Sequence, residues 1–430
     1  MQQFKKIFSE GKSVLILGFG KEGHSTFSFL SKYFPECKVG IADRNTRIAD
    51  EGINVPLHLG KNYLHAINDY DLIIKSPGIM LRGIPESTKE KITSQTDLFL
   101  CEFGRQTVGI TGTKGKSTTV SLIYHLLKST GRSALLMGNI GLPAFDFPEK
   151  IQKNDLIVYE LSAHQLEFVH SSPHIAVLLN LFPEHLDYFR TFERYKQAKL
   201  NIFRYQHHGD SAFCGEPVPG FAGDCETISG MGKVFGKSLK PEELLQNAGL
   251  KGNHNLKNIL LAFAVLHRLG TSLDKLPQAL TGFHTLPHRL EYVGHFGGID
   301  FYNDSISTVP QSTIAAVKSV GPVDVLILGG FDRGLDYTVL VDFLSGTGIN
   351  YFFFLGKAGE RMLKLFNARD NNKNLYPVED LAAVFHQLQS LPDISCCLLS
   401  PAAASYDQFH NFEHRGDLFK KFAVAFLRGK

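Results

Sequence analysis

The sequence has 430 residues, of which 43% are hydrophobic and 20% are charged, and its formal net charge is +3. This length exceeds one ordinary hydrophobic core, so two or three domains are expected. The small net charge argues against nucleic acid or an acidic membrane surface as the main partner. The six cysteines form no Cys-x-x-Cys pair, which favours reduced, buried thiols in a reducing compartment.

The segment at the N-terminus lacks the apolar core of a secretory signal. No apolar run approaches the ~20 residues that a membrane-spanning helix needs. The longest apolar runs have the length of strands. We therefore expect a cytoplasmic protein that does not insert into a membrane.

Short apolar runs with β-branched or aromatic residues alternate with helical patterns along most of the chain. Near-continuous apolar strands separated by helices predict parallel sheets covered on both faces, and therefore an α/β fold. In such sheets, ligands bind at the carboxyl ends of the strands. The predicted strands are Ser13–Leu17, Leu72–Lys75, Val108–Thr111, Leu156–Tyr159, Ala176–Asn180, Val325–Leu328, Tyr351–Leu355 and Cys397–Leu399.

The chain divides into three segments, each with its own strand and glycine-containing loop. We predict an N-terminal Rossmann-like domain over residues 1–103 and a central domain of the P-loop ATPase type, with a parallel sheet, over residues 104–286. A C-terminal Rossmann-like domain is predicted over residues 287–430. The stretch 214–230, rich in Gly, Pro and Cys, predicts irregular structure or a small β element.

The first strand runs into a glycine loop, Gly18-Phe19-Gly20-Lys21-Glu22-Gly23, and Asp43 follows twenty residues later. This spacing fits the dinucleotide-binding fingerprint and alone would indicate a nicotinamide-dependent oxidoreductase that binds NAD(P). A second anion-binding loop further along the chain favours a ligase that binds two nucleotides.

That second loop follows the strand Val108–Thr111 and precedes a helical pattern. Glycines allow its backbone N–H groups and the helix N-terminus to point at phosphate oxygens. Lys116 can reach the β- and γ-phosphates, and the Ser117 hydroxyl suits Mg²⁺. The pattern is imperfect because its first glycine is Gly109 rather than residue 110, so a glycine-rich helix cap is the alternative. The loop reads Gly112-Thr113-Lys114-Gly115-Lys116-Ser117-Thr118.

Two further side chains follow neighbouring predicted strands. Glu160 ends the strand after the phosphate loop, and His185 follows the next strand. A carboxylate together with phosphate oxygens suits Mg²⁺, whereas an isolated histidine is more often an ordinary loop residue. Lys199 lies in a helical pattern, and from residue type alone it would be a solvated charge.

Several motifs, in their order and spacing, resemble the Mur ligases over about Val14 to Phe422. They are Gly112–Ser117, Glu160–Ser162, His185–Asp187, Ala198–Leu200, Gly252–Asn258, Leu286–Arg289 and Asn303–Ser305. Three more runs are similar to the D-glutamate-adding members in particular: Ser76–Ile79, Gly138–Gly141 and Leu399–Gly416.

The resemblance implies ATP-dependent addition of D-glutamate to UDP-N-acetylmuramoyl-L-alanine through an acyl phosphate, a step of peptidoglycan precursor synthesis. It implies ATP and two Mg²⁺ ions as cofactors, small-molecule substrates and a monomeric enzyme. The catalytic residues would be Lys116, Glu160, His185 and Lys199. The metal ligands would be Ser117, Glu160, His185 and a carbamylated Lys199.

The resemblance also assigns binding residues to each substrate. ATP would contact Gly112, Thr113, Lys114, Gly115, Lys116, Ser117, Thr118, Asn255, Asn258, Arg289 and Asp304. The UDP-sugar would contact Gly18, Phe19, Gly20, Lys21, Asp43, Arg44, Ser76, Gly78 and Asn139. The incoming glutamate would contact Thr308, Arg333, Ser405 and Phe412.

One position departs from the family pattern. After Asn303-Asp304-Ser305 the family usually has a lysine, and this chain has Ile306, which leaves Arg333 as the cation for a glutamate side chain. An L-glutamate-adding relative is therefore an alternative. Two others are a folylpoly-γ-glutamate synthetase, disfavoured by the Gly18–Gly23 loop, and a P-loop switch without ligase chemistry.

Overall fold

Sheets of mainly parallel strands form the framework of the chain in the computed structural model. The chain divides into two compact units, Met1–Phe283 and His284–Lys430. The structure describes residues 1–8, 11–81, 83–138, 144–146, 149, 151–218, 225–228, 233–234, 237–250, 252–283, 287–369 and 372–427.

A five-stranded parallel sheet opens the first unit. Its strands are β1 (Ser13–Leu17), β2 (Lys38–Asp43), β3 (Leu57–Leu59), β4 (Leu72–Lys75) and β5 (Ile92–Thr93). They pair in the order β3-β2-β1-β4-β5. The accompanying helices are α1 (Gln2–Ile7), α2 (Lys21–Tyr33), α3 (Glu86–Lys89) and α4 (Gln95–Phe103). Strand β1 is central and buried on both faces, which explains its continuous apolar sequence.

A six-stranded parallel sheet forms the rest of the first unit. Its strands are β6 (Thr107–Thr111), β7 (Ala134–Gly138), β8 (Leu156–Glu160), β9 (Ile175–Leu178), β10 (Ser211–Cys214) and β11 (Glu226–Thr227). Their order is β11-β10-β9-β6-β8-β7, so β6 lies between β8 and β9. A separate antiparallel pair consists of β12 (Lys233–Val234) and β13 (Lys237–Ser238).

The helices of this part are α5 (Lys116–Ser129), α6 (Ala163–Leu166), α7 (Leu186–Phe189), α8 (Phe192–Arg204), α9 (Pro241–Asn247), α10 (Asn253–Arg268) and α11 (Leu276–Ala279). Helix α5 packs against α10 and against β6, β7 and β8. Its buried side chains include Val120, Ile123 and Leu127, whose spacing of three and four residues puts them on one helix face. This packing fixes the N-terminus of α5 at the carboxyl end of β6.

The second unit contains a six-stranded sheet in the order β14-β15-β19-β16-β17-β18. Its strands are β14 (Glu291–Phe296), β15 (Ile299–Asn303), β16 (Val325–Gly329), β17 (Tyr351–Leu355), β18 (Asn374–Val378) and β19 (Cys396–Leu399). Only β14, which pairs with β15, is antiparallel among these strands. The helices are α12 (Pro310–Val320), α13 (Thr338–Ser345), α14 (Gly356–Asn367), α15 (Leu381–Leu388) and α16 (Phe412–Val424).

Alternate residues of β17 enter different hydrophobic clusters. Phe352 and Phe354 belong to one cluster, and Phe353 and Leu355 belong to the other. Successive side chains of a strand point to opposite faces, so a strand covered on both faces is apolar at every position. The predicted α/β fold class is confirmed, and all eight predicted strands exist. The domain limits at 103/104 and 286/287 stay predictions.

The prediction that all cysteines are reduced and buried was wrong. Cys214 and Cys225 form a disulfide, because the pairing of β10 with β11 brings these two residues together. Cys101 is exposed, whereas Cys396 and Cys397 are buried as predicted. Within the described ranges, no helix is long and apolar enough to cross a membrane.

Candidate active site

The phosphate loop joins β6 to α5 and has the backbone conformation that its glycines predict. Gly112 has φ 155° and Gly115 has φ 84°, both in the region that favours glycine. Gly115 is the N-cap of α5, so Lys116, Ser117 and Thr118 form the first turn of that helix. The loop therefore presents backbone N–H groups and a helix N-terminus to the same space, an arrangement that binds anions.

Asn180 holds this loop in shape. Its side-chain Oδ1 accepts a hydrogen bond of 2.8 Å from the Lys114 N–H, and its Nδ2 donates to the Lys114 carbonyl at 3.0 Å. Tyr195 shares a hydrogen bond of 3.0 Å with the Thr113 hydroxyl. Neither Asn180 nor Tyr195 was predicted from the sequence. The available signals were the position of Asn180 at the end of a predicted strand and that of Tyr195 one turn before Lys199.

Two lysines converge on one carbonyl oxygen of the loop. The Lys116 ammonium donates to Gly112 O at 3.0 Å, and the Lys199 amine donates to the same oxygen at 2.8 Å. Lys199 also lies 3.3 Å from the Thr111 hydroxyl. The two amines therefore lie close together, where like charges repel.

Lys199 is buried, with 1% of its surface exposed. The prediction of a solvated charge, made from residue type alone, was wrong because α8 packs against β6 and β9. Burial, together with the neighbouring Lys116, holds the pKa of Lys199 well below its ordinary value of 10.5. At neutral pH a larger fraction of Lys199 is therefore in the neutral amine form than in a surface lysine.

Glu160 ends β8 next to the phosphate loop. It is in register with Ile110 of β6 and with Gly138 of β7, and it is fully buried. Its charge acts on Lys199, so the two side chains belong to one electrostatic cluster.

His185 is the N-cap of α7, with φ 56°, and has a half-exposed side chain. The adjacent Glu184 accepts a hydrogen bond of 2.7 Å from Lys114. Partial burial alone would raise the pKa of Glu184, but Lys114, His185 and Lys116 together hold it below its ordinary value. The ring of His164 lies 4.9 Å from that of His185. The sequence analysis assigned no role to Glu184 or His164.

Oxygen donors dominate the candidate metal ligands. Among the described residues, no three His, Cys, Asp or Glu side chains form a group that could hold a metal ion. Ser117 and Glu160 supply oxygen atoms, which Mg²⁺ prefers, and Mg²⁺ commonly retains waters and substrate phosphate oxygens. The donor set therefore fits Mg²⁺ bound together with a nucleotide, and does not fit an all-protein metal cage.

Helix α10 contributes to the phosphate loop from the other side. A side-chain carbon at Gly115 would lie 3.1 Å from Asn258 Oδ1, so Asn258 lies against the loop. Asn258 is buried and donates to Asn255 Oδ1 at 3.3 Å. The structure thus brings Asn258 to the phosphate loop, and Asn255 is its hydrogen-bond partner.

The N-terminal glycine loop surrounds the carboxyl end of β1. A Cβ at Gly23 would lie 2.3 Å from Gly18 O, so only glycine allows α2 to approach the strand this closely. Asp43 accepts a hydrogen bond of 2.6 Å from the Phe19 N–H and one of 2.7 Å from the Asn45 N–H. The Asp43 carboxylate therefore holds the backbone of the N-terminal glycine loop in place.

The remaining predicted UDP-binding residues are distributed around this loop. Gly20 caps α2, Lys21 is its first residue, and Arg44 is exposed. Ser76 donates from its hydroxyl to Gly18 O at 2.8 Å, which brings the turn after β4 against the loop. Space for a side chain exists at Gly78, which has no neighbour within 4 Å of a built Cβ. Asn139 lies outside the described residues.

The second unit holds the other predicted nucleotide contacts. Arg289 lies between His288, with φ 64°, and Leu290, with φ 46°, both uncommon conformations for these residue types. Backbone strain of this kind persists where the surrounding structure imposes it. Asp304 is buried and accepts hydrogen bonds from Ser400 Oγ at 2.7 Å and from the Leu290 N–H at 3.2 Å.

Asp304 gives a pH-dependent prediction. Burial raises its pKa from the ordinary 3.8 to about 6, although hydrogen bonds and Arg289 oppose this rise. The folded protein then binds this proton more tightly than the unfolded chain does. The resulting stabilisation is complete below pH 3.8 and is lost as the pH rises through 6; at one pKa unit per 1.36 kcal/mol it amounts to about 3 kcal/mol.

Thermal unfolding of the wild type and of Asp304→Asn, measured between pH 4.5 and 7.5, tests this. The wild type should lose stability relative to the variant as the pH rises, because only the wild type must ionise a buried carboxyl group. Parallel stability curves for the two proteins would contradict the assignment.

The predicted amino-acid contacts lie in the second unit. Arg333 donates from Nη2 to the Thr308 carbonyl at 2.7 Å, so these two residues are neighbours. Ser405 is buried, and Phe412 is the first residue of α16. Ile306, at the position of the family lysine, donates its backbone N–H to the His288 carbonyl at 3.1 Å.

Arg415 organises this region and was not selected from the sequence. It is fully buried and donates to Ser305 Oγ at 3.0 Å and to Ser305 O at 2.9 Å. It also donates to the carbonyls of Ala403 at 3.1 Å and Ala404 at 3.3 Å. Burial lowers the pKa of Arg415 to about 10. One guanidinium therefore ties the segment before Ser405 to the segment after Asp304.

Comparison with known proteins gives the family. Residues 110–217 match the Mur ligase middle domain. The chain is 31% identical to the UDP-N-acetylmuramoylalanine--D-glutamate ligase of Clostridium kluyveri, and the match covers 97% of each chain. The chain belongs to the Mur ligase family. The predicted resemblance is therefore confirmed, and the nicotinamide-dependent alternative is no longer needed to explain the N-terminal loop.

Solved structures of Mur ligases share the fold. The UDP-N-acetylmuramate-alanine ligase MurC of Thermotoga maritima is 18% identical with a TM-score of 0.51, and the match covers 96% of this chain and 100% of that one. The MurF ligase of Thermotoga maritima, solved in complex with ADP, is 17% identical with a TM-score of 0.50, covering 97% and 96%. At these identities the likeness establishes the three-domain Mur ligase fold alone.

Proposed function

We propose that this Mur ligase joins D-glutamate to UDP-N-acetylmuramoyl-L-alanine at the expense of ATP, in peptidoglycan precursor synthesis. It acts as a cytoplasmic monomer on small-molecule substrates. The observation that carries the proposal is the pair of lysines, Lys116 and Lys199, on one carbonyl of a phosphate loop beside Glu160. Three domains, with limits at residues 103/104 and 286/287, bind the UDP-sugar, ATP and glutamate respectively.

The phosphate loop receives ATP. Backbone N–H groups of residues 112–118 and the N-terminus of α5 surround its phosphates, and Lys116 neutralises charge on the transferred phosphoryl group. Asn255 and Asn258 border the nucleotide from α10, and Arg289 and Asp304 are two further ATP contacts of the proposal.

Ser117, Glu160, His185 and Lys199 would hold two Mg²⁺ ions together with the nucleotide. Bound there, the ions would neutralise phosphate charge during phosphoryl transfer. Lys199 joins this set after carbamylation: the neutral amine attacks carbon dioxide, an N–C bond forms, and a proton leaves to solvent. Its lowered pKa supports this reaction, because only the neutral amine is nucleophilic. The anionic product also removes the repulsion between Lys199 and Lys116.

The N-terminal glycine loop receives the UDP part of the acceptor substrate. Gly18, Phe19, Gly20 and Lys21 surround the diphosphate at the N-terminus of α2, where the helix dipole favours an anion. The other contacts come from Asp43, Arg44, Ser76, Gly78 and Asn139.

The reaction replaces hydroxide, the poor leaving group of a carboxylic acid, by phosphate, which leaves more easily. Phosphorylation of the alanyl carboxylate gives an acyl phosphate, and the amine of glutamate then attacks its carbonyl and expels phosphate. Arg333 binds the side-chain carboxylate of glutamate through its planar guanidinium, and Thr308, Ser405 and Phe412 complete the pocket. Arg415 keeps the surrounding segments in place.

A phosphate-release assay tests the proposal. Release should require ATP, Mg²⁺, UDP-N-acetylmuramoyl-L-alanine and glutamate together, because the acyl phosphate forms only on the acceptor and is consumed only by the amine. Phosphate release from ATP alone, at an undiminished rate, would indicate a P-loop switch instead. Release with a folate acceptor would indicate a folylpoly-γ-glutamate synthetase.

A further inference from the structure

Lys75 is a buried cation at the end of β4, directly before the turn of residues 76–79. Its side chain is 2% exposed. A buried ammonium group is costly unless several partners compensate for the lost water. The partners of Lys75 therefore indicate what the protein gains from burying it.

Two of these partners belong to the turn that follows. The Lys75 ammonium donates to the carbonyls of Ser76 at 3.3 Å and Pro77 at 3.5 Å. Ser76 in turn donates from its hydroxyl to Gly18 O. Lys75 thus orders the turn, and the turn contacts the N-terminal glycine loop.

The other partners come from the following domain, more than ninety residues away in sequence. Lys75 donates to Tyr188 Oη at 3.2 Å and forms an ion pair of 3.6 Å with Glu167. Tyr188 donates to Glu167 Oε2 at 2.7 Å, and the carbonyl of Ile79, the last residue of the turn, lies 3.0 Å from the same hydroxyl. The Phe168 ring lies 5.2 Å from the ammonium and excludes water from one side.

Two of these partners, Tyr188 and Glu167, lie close in sequence to the proposed metal ligands His185 and Glu160. Tyr188 lies in α7, one turn after His185, and its N–H donates to the His185 carbonyl at 3.1 Å. Glu167 follows α6, the short helix that begins three residues after Glu160. The segments that hold His185 and Glu160 therefore also fix the positions of Tyr188 and Glu167.

A second contact joins the same two parts of the first unit. Gln165 of α6 donates to Glu22 Oε1 at 3.2 Å, and Glu22 lies in the first turn of α2. Burial lowers the pKa of Lys75, and the two carboxylates that it faces, Glu167 and Glu22, oppose this shift and favour its charged form. The buried cation is thus the centre of a polar network between the two loops.

We propose that Lys75 is a positioning residue that couples the acceptor-binding turn 76–79 to the segments carrying Glu160 and His185. It contacts neither substrate. Its ammonium binds two carbonyls of the turn. The same ammonium binds Tyr188 of α7 and Glu167, which follows α6, and so holds the turn in a fixed position relative to these helices. The inference rests on the proposed function, in which this turn borders the UDP-sugar.

The variant Lys75→Met tests this, because methionine keeps an unbranched apolar side chain and removes the ammonium. We expect KM for UDP-N-acetylmuramoyl-L-alanine to rise about tenfold, while KM for ATP stays within about twofold. Tyr188→Phe should shift the same KM in the same direction by a smaller factor. Lys75→Arg, which keeps a charged donor, should recover part of the loss.

Lys91→Met is the matched control. Lys91 is an exposed lysine beside β5 whose ammonium donates to the Tyr70 carbonyl at 3.3 Å, away from the turn. This variant should leave both KM values unchanged.

A double-mutant cycle with Glu167→Gln sharpens the test. The combined variant Lys75→Met/Glu167→Gln should raise KM by less than the product of the two single effects, since the two side chains act together. Independent effects, or an equal rise of KM for ATP, would overturn the proposal. So would a lowered melting temperature with both KM values unchanged.

Calorimetric binding of UDP-N-acetylmuramoyl-L-alanine separates this inference from the proposed function. If the wild type binds this compound but does not ligate it, the proposed reaction fails. About tenfold weaker binding by Lys75→Met would then still support the positioning role, and equal binding by both proteins would refute it. If Lys75→Met does not fold, the same comparison is made with Tyr188→Phe.

Discussion

Lys116→Met should lower the rate of ATP-dependent ligation by about a thousandfold or more. The Lys116 ammonium lies on the phosphate loop, held by the carbonyls of Gly112 and Thr113. Phosphoryl transfer depends on neutralising charge at the transferring group, and the loss of one such cation or donor typically costs about 100-fold to 100,000-fold. Product formation and ADP release, measured in the same reaction, should fall together.

Lys128→Met provides the control for this substitution. Lys128 is an exposed lysine in the last turn of α5, so its removal changes the same helix without touching the phosphate loop. It should keep the wild-type rate. Near-normal ligation by Lys116→Met would contradict the placement of the ATP phosphates.

Lys199→Met should lower the rate by at least about a hundredfold. Methionine can fill much of the space of the lysine stem in this buried position, but it cannot form a carbamate and so supplies no metal ligand. The wild type, supplied with ¹³C-bicarbonate, should give a carbamate carbon signal in the NMR spectrum, and this signal should be absent from Lys199→Met.

Lys196→Met is the matched variant on the same helix. Lys196 pairs with Glu193 at 2.9 Å, an ion pair with an exposed carboxylate, and such pairs contribute little to stability. This variant should keep both the carbamate signal and the activity within about twofold. A carbamate signal that survives in Lys199→Met would place the modification elsewhere.

The strands of the fold could be predicted because their sequences carry the cause of their burial. Tyr351–Leu355 is apolar at every position since both of its faces are covered, and β1 follows the same rule. The phosphate loop was also predictable, because its glycines and its lysine are local requirements of phosphate binding. Ala176–Asn180 was predicted to end two residues beyond the observed end at Leu178, since Asn180 leaves the strand to hold that loop.

The rest of the site depends on contacts between distant parts of the chain. Asn180 meets Lys114 across 66 residues of sequence, and Lys75 meets Tyr188 across 113. The residue types asparagine and lysine do not by themselves predict these long-range contacts. Lys199 illustrates the difficulty most clearly: its helix position predicts a solvated charge, and only the docking of α8 against the sheet buries it. The family resemblance, rather than its local sequence, selected it.

The prediction that the cysteines are reduced was wrong for a similar reason. The disulfide between Cys214 and Cys225 follows from the pairing of β10 with β11, and the spacing of the two cysteines has no recognised pattern. Sequence spacing predicts disulfides only within known frameworks.

The handedness of the glutamate tests the central claim most directly. Phosphate release and the mass of the product should be measured with ATP, Mg²⁺ and UDP-N-acetylmuramoyl-L-alanine, with D-glutamate and L-glutamate in parallel. We expect one phosphate per product molecule with D-glutamate, and little product with L-glutamate. Product formation with L-glutamate alone would contradict it and would assign Ile306 and Arg333 to a pocket of the opposite handedness.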